Sequence, residues 1–193
     1  MAEIPLIEGI TQALAWEMAH DESVVVLGED VGVNGGVFRA TVGLQEKFGP
    51  WRVIDTPLCE TSIAGLTVGM ATQGMKPVAE AQFDGFVYPM LDHIICHAAR
   101  FRHRTSGRLT CPMVLRVPWG GGIRAPEHHS EANEAMFTNV PGLRVVMPSS
   151  PARACPAFTG RFSPDRPSKP ATAAGSRSPR PWRAPPRPRP TRN

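Results

Sequence analysis

Apolar positions recur at helical spacing from Ile7 to Ala19, where Ile7, Ile10, Leu14 and Met18 fall on one stripe. Val24 to Leu27 follows as a short β-branched run closed by Gly28, the pattern of a buried strand. The alternation then repeats. Arg52 to Asp55 reads as a strand, Glu60 to Gly74 as a helix, Pro77 to Gln82 as a strand and Gly85 to His103 as one long helix, before two more strands at Met113 to Val117 and Leu143 to Met147. A parallel strand needs a crossover to bring the chain back, so this order predicts an α/β fold: a parallel sheet with helices on both faces. Chemistry in such sheets gathers in the loops at the carboxyl ends of strands. That directs attention to Gly28 to Arg39, Asp55 to Glu60, Gln82 to Phe86 and Pro118 to Ser130.

The helix at Glu60 to Gly74 carries Ala64, Gly65, Gly69, Ala71 and Gly74, which weaken an isolated helix but let another backbone come close. Packing against a partner subunit and tight packing within the chain are equally compatible with that pattern.

Composition divides the chain. Positions 154 to 193 hold 10 of the 21 prolines and 9 of the 21 Lys and Arg against one acid, Asp165, a charge of +8. Positions 1 to 153 keep 12 basic and 16 acidic residues, a charge of −4, so the basic balance of the whole belongs to the tail. A basic protein invites nucleic acid as a partner, but the mildly acidic part expected to fold offers no basic stripe, and nucleic acid is not the expected partner. Cys59, Cys96, Cys111 and Cys155 have neither zinc-knuckle nor disulfide-framework spacing, and are expected to be reduced and mostly buried. The beginning MAEIPLIEGI has an early acid and no basic region before an apolar stretch, and no run reaches the length of a membrane span, so a cytoplasmic protein without a membrane partner is expected.

Four blocks carry a specific resemblance: GEDVGVNGGVFRAT (Gly28 to Thr41), KFGPWRVIDTPLCETSIAG (Lys47 to Gly65), PVAEAQFDGFVYPMLD (Pro77 to Asp92) and HHSEANEAMFTNVPGLRVVMPSSP (His128 to Pro151). In order and separation they resemble the N-terminal part of the decarboxylase beta subunit of 2-oxoacid dehydrogenases. The resemblance implies the pyrimidine-binding domain of the transketolase-like fold over residues 1 to 153, incomplete at its C-terminal end. It also implies thiamine diphosphate shared with an alpha subunit.

The same resemblance assigns residues. Glu60 matches the carboxylic acid at the pyrimidine ring nitrogen, which activates the cofactor and needs a dry pocket to keep its proton shared with the ring. Taken without the resemblance, Glu60 reads as an acid complementing a helix dipole. Gln82 and Phe86 match positions touching the aminopyrimidine, an amide for its edge and an aromatic ring for stacking, with Leu58 packing nearby. His129 matches a histidine facing the reacting carbon, where an imidazole can donate to substrate carboxylate or lipoyl sulfur. Catalysis thus falls to Glu60 and His129, and cofactor binding to Leu58, Glu60, Gln82 and Phe86. Two departures are local: Glu131 stands where the family usually has Gln, as does His93 after Asp92.

No metal site is expected in this chain. His93 and His97 are four apart on a helix, but no ligand pattern in the sequence completes them. Gly120 to Gly122 lacks the surroundings of a phosphate loop and is expected to permit close backbone packing. The GDG motif with a downstream asparagine is absent, so the resemblance leaves magnesium to the alpha subunit. It further implies a heterotetramer that decarboxylates a 2-oxo acid oxidatively and passes the acyl group to the lipoyl arm of an acyltransferase core. PWGGG and QFDGFVYP lie slightly closer to branched-chain than to pyruvate enzymes.

The resemblance stops after Arg153. Positions 154 to 193 have too few apolar residues to offset chain entropy, and a disordered tail is expected, of the composition a frameshift in a GC-rich gene produces. Two rival readings follow: a truncated, inactive fragment that still docks on an alpha subunit, and a short protein whose basic tail binds nucleic acid through phosphates.

Overall fold

The computed structural model describes residues 4–154. Four strands, β1 (Val24–Gly28), β2 (Val53–Asp55), β3 (Lys76–Glu80) and β4 (Val114–Arg116), form one sheet in the order β2-β1-β3-β4 with every pairing parallel. Helix α1 (Leu6–His20) leads into β1, α2 (Leu44–Phe48) precedes β2, and α3 (Glu60–Thr72) joins β2 to β3. The α/β fold with a parallel sheet stands as expected.

The strand β1 is central and wholly buried, which is why it is apolar throughout instead of alternating. Successive side chains point to opposite faces of the sheet. Val24, Val26 and Val78 therefore pack with Ala13, Leu14 and Met18 of α1, whereas Leu27 and Ala79 pack with Ile63 and Ala64 of α3 and with Val87, Met90 and Ile94. Arg52 ties α1 to the sheet, donating through Nε to Val24 O at 2.8 Å and through Nη2 to Met18 O and Asp21 O at 3.0 Å. Among the described residues an ion pair crosses the interior: Glu80 and Arg116, register partners on β3 and β4, join their charged ends while both are buried.

Several expectations need correction. The stretch Gly85 to His103 is helical but not one α-helix: a 3-10 segment (Asp84–Met90) leads into a π-helical one (Asp92–Ala98) and then α4 (Phe101–Arg104). Pro89 accounts for the break, since it lacks the N–H of a continuous ladder and its ring crowds the preceding turn. Leu143 to Met147 is not a strand. Gly142 sits so tightly on the carbonyl of Ala99 that a Cβ there would overlap it, which docks the start of the segment on the helical layer. Leu143 joins the second core cluster while Val146 and Met147 face outward, so the apolar run has no ladder to enter.

The cysteines within the described residues are free, as expected, but not buried: Cys59 and Cys96 are exposed and Cys111 is half-buried. Close packing does not explain Gly120 to Gly122, because a Cβ on any of them would meet nothing within 4 Å; Gly120 is needed for its φ of 88°. The expected tail lies outside the described residues except for Ala154, which is buried and ends a helical turn whose Pro151 packs on Gly9 of α1.

Candidate functional site

The carboxyl ends of β1, β2, β3 and β4 lie along one edge of the sheet, because all four strands run the same way. The loop leaving β1 is built there. The Asp55 carboxylate at the end of β2 accepts from Gly32 N at 2.6 Å, Thr41 Oγ1 donates to Val31 O at 2.6 Å, and Gly36 N donates to Asp30 O at 2.7 Å. Gly36 has a φ of 80°, and a Cβ on it would stand 3.3 Å from both Glu80 Oε1 and Thr41 Oγ1. The loop is closed over the end of β3 by its own backbone.

Glu60 opens α3, directly after the loop from β2, and is half-buried. Glu29, the first residue after β1, is 6% exposed, and its Oε1 has no hydrogen-bond partner among the described residues. Burial first, then the neighbouring carboxylates of Glu60 and Asp30, raise the Glu29 carboxyl above its ordinary range. Gln82, two residues beyond β3, donates from Nε2 to Asp30 Oδ2 at 3.3 Å. One side of the site is thus a group of three carboxylates with an amide beside it.

The other side is aromatic. Phe83 and Phe86 meet edge to face with centroids 5.6 Å apart. His129 stands 4.8 Å from Phe83 and 5.1 Å from Phe86, both at steep angles, and Phe38 from the β1 loop touches Phe83 at 5.4 Å. His128 packs on Phe86 at 5.5 Å. His129 Nδ1 lies 3.1 Å from Pro126 O, so the ring donates there and turns Nε2 away from the main chain.

A clasp holds the histidine loop against the 3-10 segment. The buried Asp84 carboxylate accepts from Asn133 N at 2.7 Å, and Tyr88 hydroxyl donates to Glu131. The main chain of His128 lies on Gly85, where a Cβ would overlap His128 O. Burial lifts the Asp84 carboxyl despite the Asn133 hydrogen bond.

The structure therefore brings Phe86 and His129 into one cluster, with Glu60 and Gln82 each beside the carboxylates of the β1 loop. Leu58 is 81% exposed. Sequence reasoning singled out no residue between Gly28 and Arg39, and so missed Glu29, Asp30 and Phe38. The signal available was an acidic pair immediately after a buried strand, at the end where such sheets do chemistry. Beside His93 and His97, for which no completing ligand pattern was expected, Asp92 offers a carboxylate.

The sequence profile of the family described as transketolase, pyrimidine binding domain matches residues 2–168. The chain belongs to this family. The match runs past the boundary expected at residue 153. Among its relatives, the chain is 58% identical over 151 residues to the pyruvate dehydrogenase E1 component subunit beta of Acholeplasma laidlawii, covering 78% of this chain and 46% of that protein. Over the same length and shares it is 51% identical to the pyruvate dehydrogenase E1 component subunit beta of Bacillus subtilis and 50% identical to the 2-oxoisovalerate dehydrogenase subunit beta of that organism. The chain spans about half the length of these curated relatives. A solved structure described as split gene transketolase, inactive beta4 tetramer, shares the fold at a TM-score of 0.64 and 18% identity, covering 83% of this chain and 48% of that one. For this pyrimidine-binding-domain chain, identities of 51% and 50% within one organism do not separate pyruvate from branched-chain relatives.

Proposed function

We infer that this chain is the pyrimidine-binding part of the beta subunit of a thiamine-diphosphate-dependent 2-oxoacid dehydrogenase. The observation that carries the reading is the convergence of Glu60, Gln82, Phe86 and His129 on one sheet edge, in a chain 50 to 58% identical to E1 and 2-oxoisovalerate dehydrogenase beta subunits. The residues fit an aminopyrimidine. A half-buried carboxyl, a side-chain amide and an aromatic face are the groups that a flat, polar-edged heterocycle requires, and the buried Glu29 Oε1, without a hydrogen-bond partner among the described residues, has hydrogen-bonding capacity to spare.

Bound, thiamine diphosphate supplies the electron sink for decarboxylating a 2-oxo acid. The chain's own residues do the rest on this side. Glu60 presents its carboxyl to the ring nitrogen, beside the acidic side chains of Glu29 and Asp30. Gln82 orients the ring edge, and Phe86 stacks and excludes water. His129, with Nδ1 committed to Pro126, presents Nε2 as a donor to a carboxylate or thiol. Leu58, exposed here, packs at the site once a partner covers that edge. The partner is an alpha subunit in a heterotetramer, which brings the magnesium and diphosphate ligands, and the acyl acceptor is a lipoyl arm of the acyltransferase core. Such an assembly works in the cytoplasm; among the described residues no helix is long and apolar enough to cross a membrane.

The test is co-expression with an alpha subunit of this enzyme class, followed by copurification and assay of 2-oxo-acid-dependent reduction of an artificial electron acceptor, with pyruvate and 2-oxoisovalerate side by side. Copurification with turnover supports the reading. A stable complex without turnover on either acid favours the inactive fragment, and salt-sensitive binding of nucleic acid without an alpha complex favours the basic-tail reading.

A further inference from the structure

Away from that edge, the π-helical segment Asp92–Ala98 gathers three groups of another kind. Asp92, His93 and His97 each offer one donor atom, and the three atoms lie within 4.8 Å of one another. Asp92 Oδ2 is 3.5 Å from His97 Nε2, and the rings of His93 and His97 have centroids 5.7 Å apart, inclined by 34°. The winding explains the meeting. A π-turn brings residues five apart into register, as the hydrogen bond from Ala99 N to Ile94 O shows, so Asp92 reaches His97 while His93 stays four residues from it on the same side.

We propose that Asp92, His93 and His97 bind a divalent transition metal of the zinc class, with water in the remaining position. Donors at about 2.0 to 2.2 Å from a tetrahedral ion stand roughly 3.4 Å apart, so side-chain rotation by about an ångström closes the set. Asp92 is exposed and free to make that rotation. His93 is backed by Gly65 of α3, where a Cβ would stand 3.2 Å from its Cε1 and 3.3 Å from its Nε2; glycine leaves the ring its place. Two imidazoles with one carboxylate select zinc, nickel or copper over magnesium and calcium, which take oxygen ligands. One group opposes the ion. Arg104 Nη1 donates towards His97 Nδ1 at 3.3 Å while its Nη2 donates to Cys96 O at 2.5 Å, so an ion at His97 Nε2 requires the Nδ1 contact to open and meets a positive charge beside the site, both of which lower its affinity.

The experiment is calorimetric titration of Zn2+ into the metal-free full chain, with Co2+ absorption reporting coordination. The expected result is one saturable equivalent with tetrahedral cobalt bands, weakened about tenfold or more in His93→Ala and in His97→Ala. Arg104→Gln is expected to tighten binding severalfold, a gain that a folding defect cannot produce. Absence of saturable binding below about 1 mM zinc, or binding unchanged in both histidine variants, or binding lost in His128→Ala instead, overturns the proposal. None of these outcomes depends on the cofactor assignment.

Discussion

Gly85 carries the main chain of His128 directly on its α-carbon, so the loop bearing His129 is seated by the absence of a side chain. A methyl group there collides with His128 O, which is backbone and cannot swing aside. Gly85→Ala is therefore expected to push the histidine loop off the 3-10 segment, at a cost of about 1 to 3 kcal/mol typical of overpacking. Urea denaturation measures the loss. An unchanged midpoint would show that the loop is not held there.

The buried ion pair between Glu80 and Arg116 joins the centre of the sheet to its edge strand, with Glu80 only 1% exposed. Removing one partner strands the other charge in the core. Arg116→Met is expected to cost about 3 to 5 kcal/mol, whereas the double variant Glu80→Gln with Arg116→Met recovers much of it. Thermal melts of the single and double variants decide the matter: equal losses in both would mean that the pair is not the source.

The pH behaviour of Glu29 follows from its surroundings. Its folded carboxyl titrates above the ordinary range, because burial and then the carboxylates of Glu60 and Asp30 disfavour the charge. Folding thus retains a proton that the unfolded chain loses, and stability falls as pH rises from the ordinary glutamate value through the raised one. Glu29→Gln removes that penalty. The variant should melt above the parent at pH 7.5, with the advantage shrinking towards pH 4, and a difference that does not vary with pH would contradict this origin.

Cys59 and Cys111 should differ in reactivity. The Cys59 thiol is exposed, and hydrogen bonds from Ser62, whose Oγ is 3.1 Å away, hold it below the usual thiol range. Burial pushes the Cys111 thiol up to about 11. Iodoacetamide at pH 8, followed by peptide mass spectrometry, should label Cys59 about tenfold faster than Cys111 or more. Equal rates would mean that Cys111 is open to solvent.

How far the sequence could be read depended on whether a feature was local. The buried run Val24 to Leu27 announced a central strand because a strand covered on both faces is apolar at every position. The helix at Glu60 was legible from its apolar and small residues, and the α3 glycines divide between the two readings: Gly65 is covered within the chain by His93, while Gly69 has open space around it. What escaped reading lies in contacts distant in sequence. Nothing near Leu143 shows that Gly142 is pinned on Ala99. The site divides similarly. Phe86 and His129 were placed by resemblance and meet in space, but the raised Glu29 depends first on burial and then on Glu60, 31 residues away, and on Asp30, and burial by the fold is not written in the local sequence.

Cofactor titration into the complex of this chain with an alpha subunit tests whether it provides the pyrimidine side of a thiamine diphosphate site. Phe86→Ala is expected to weaken thiamine diphosphate binding by about 1 to 3 kcal/mol, while Glu60→Gln is expected to leave binding within severalfold and to lower turnover by about a hundredfold or more. Affinity and turnover unchanged in both variants would contradict it.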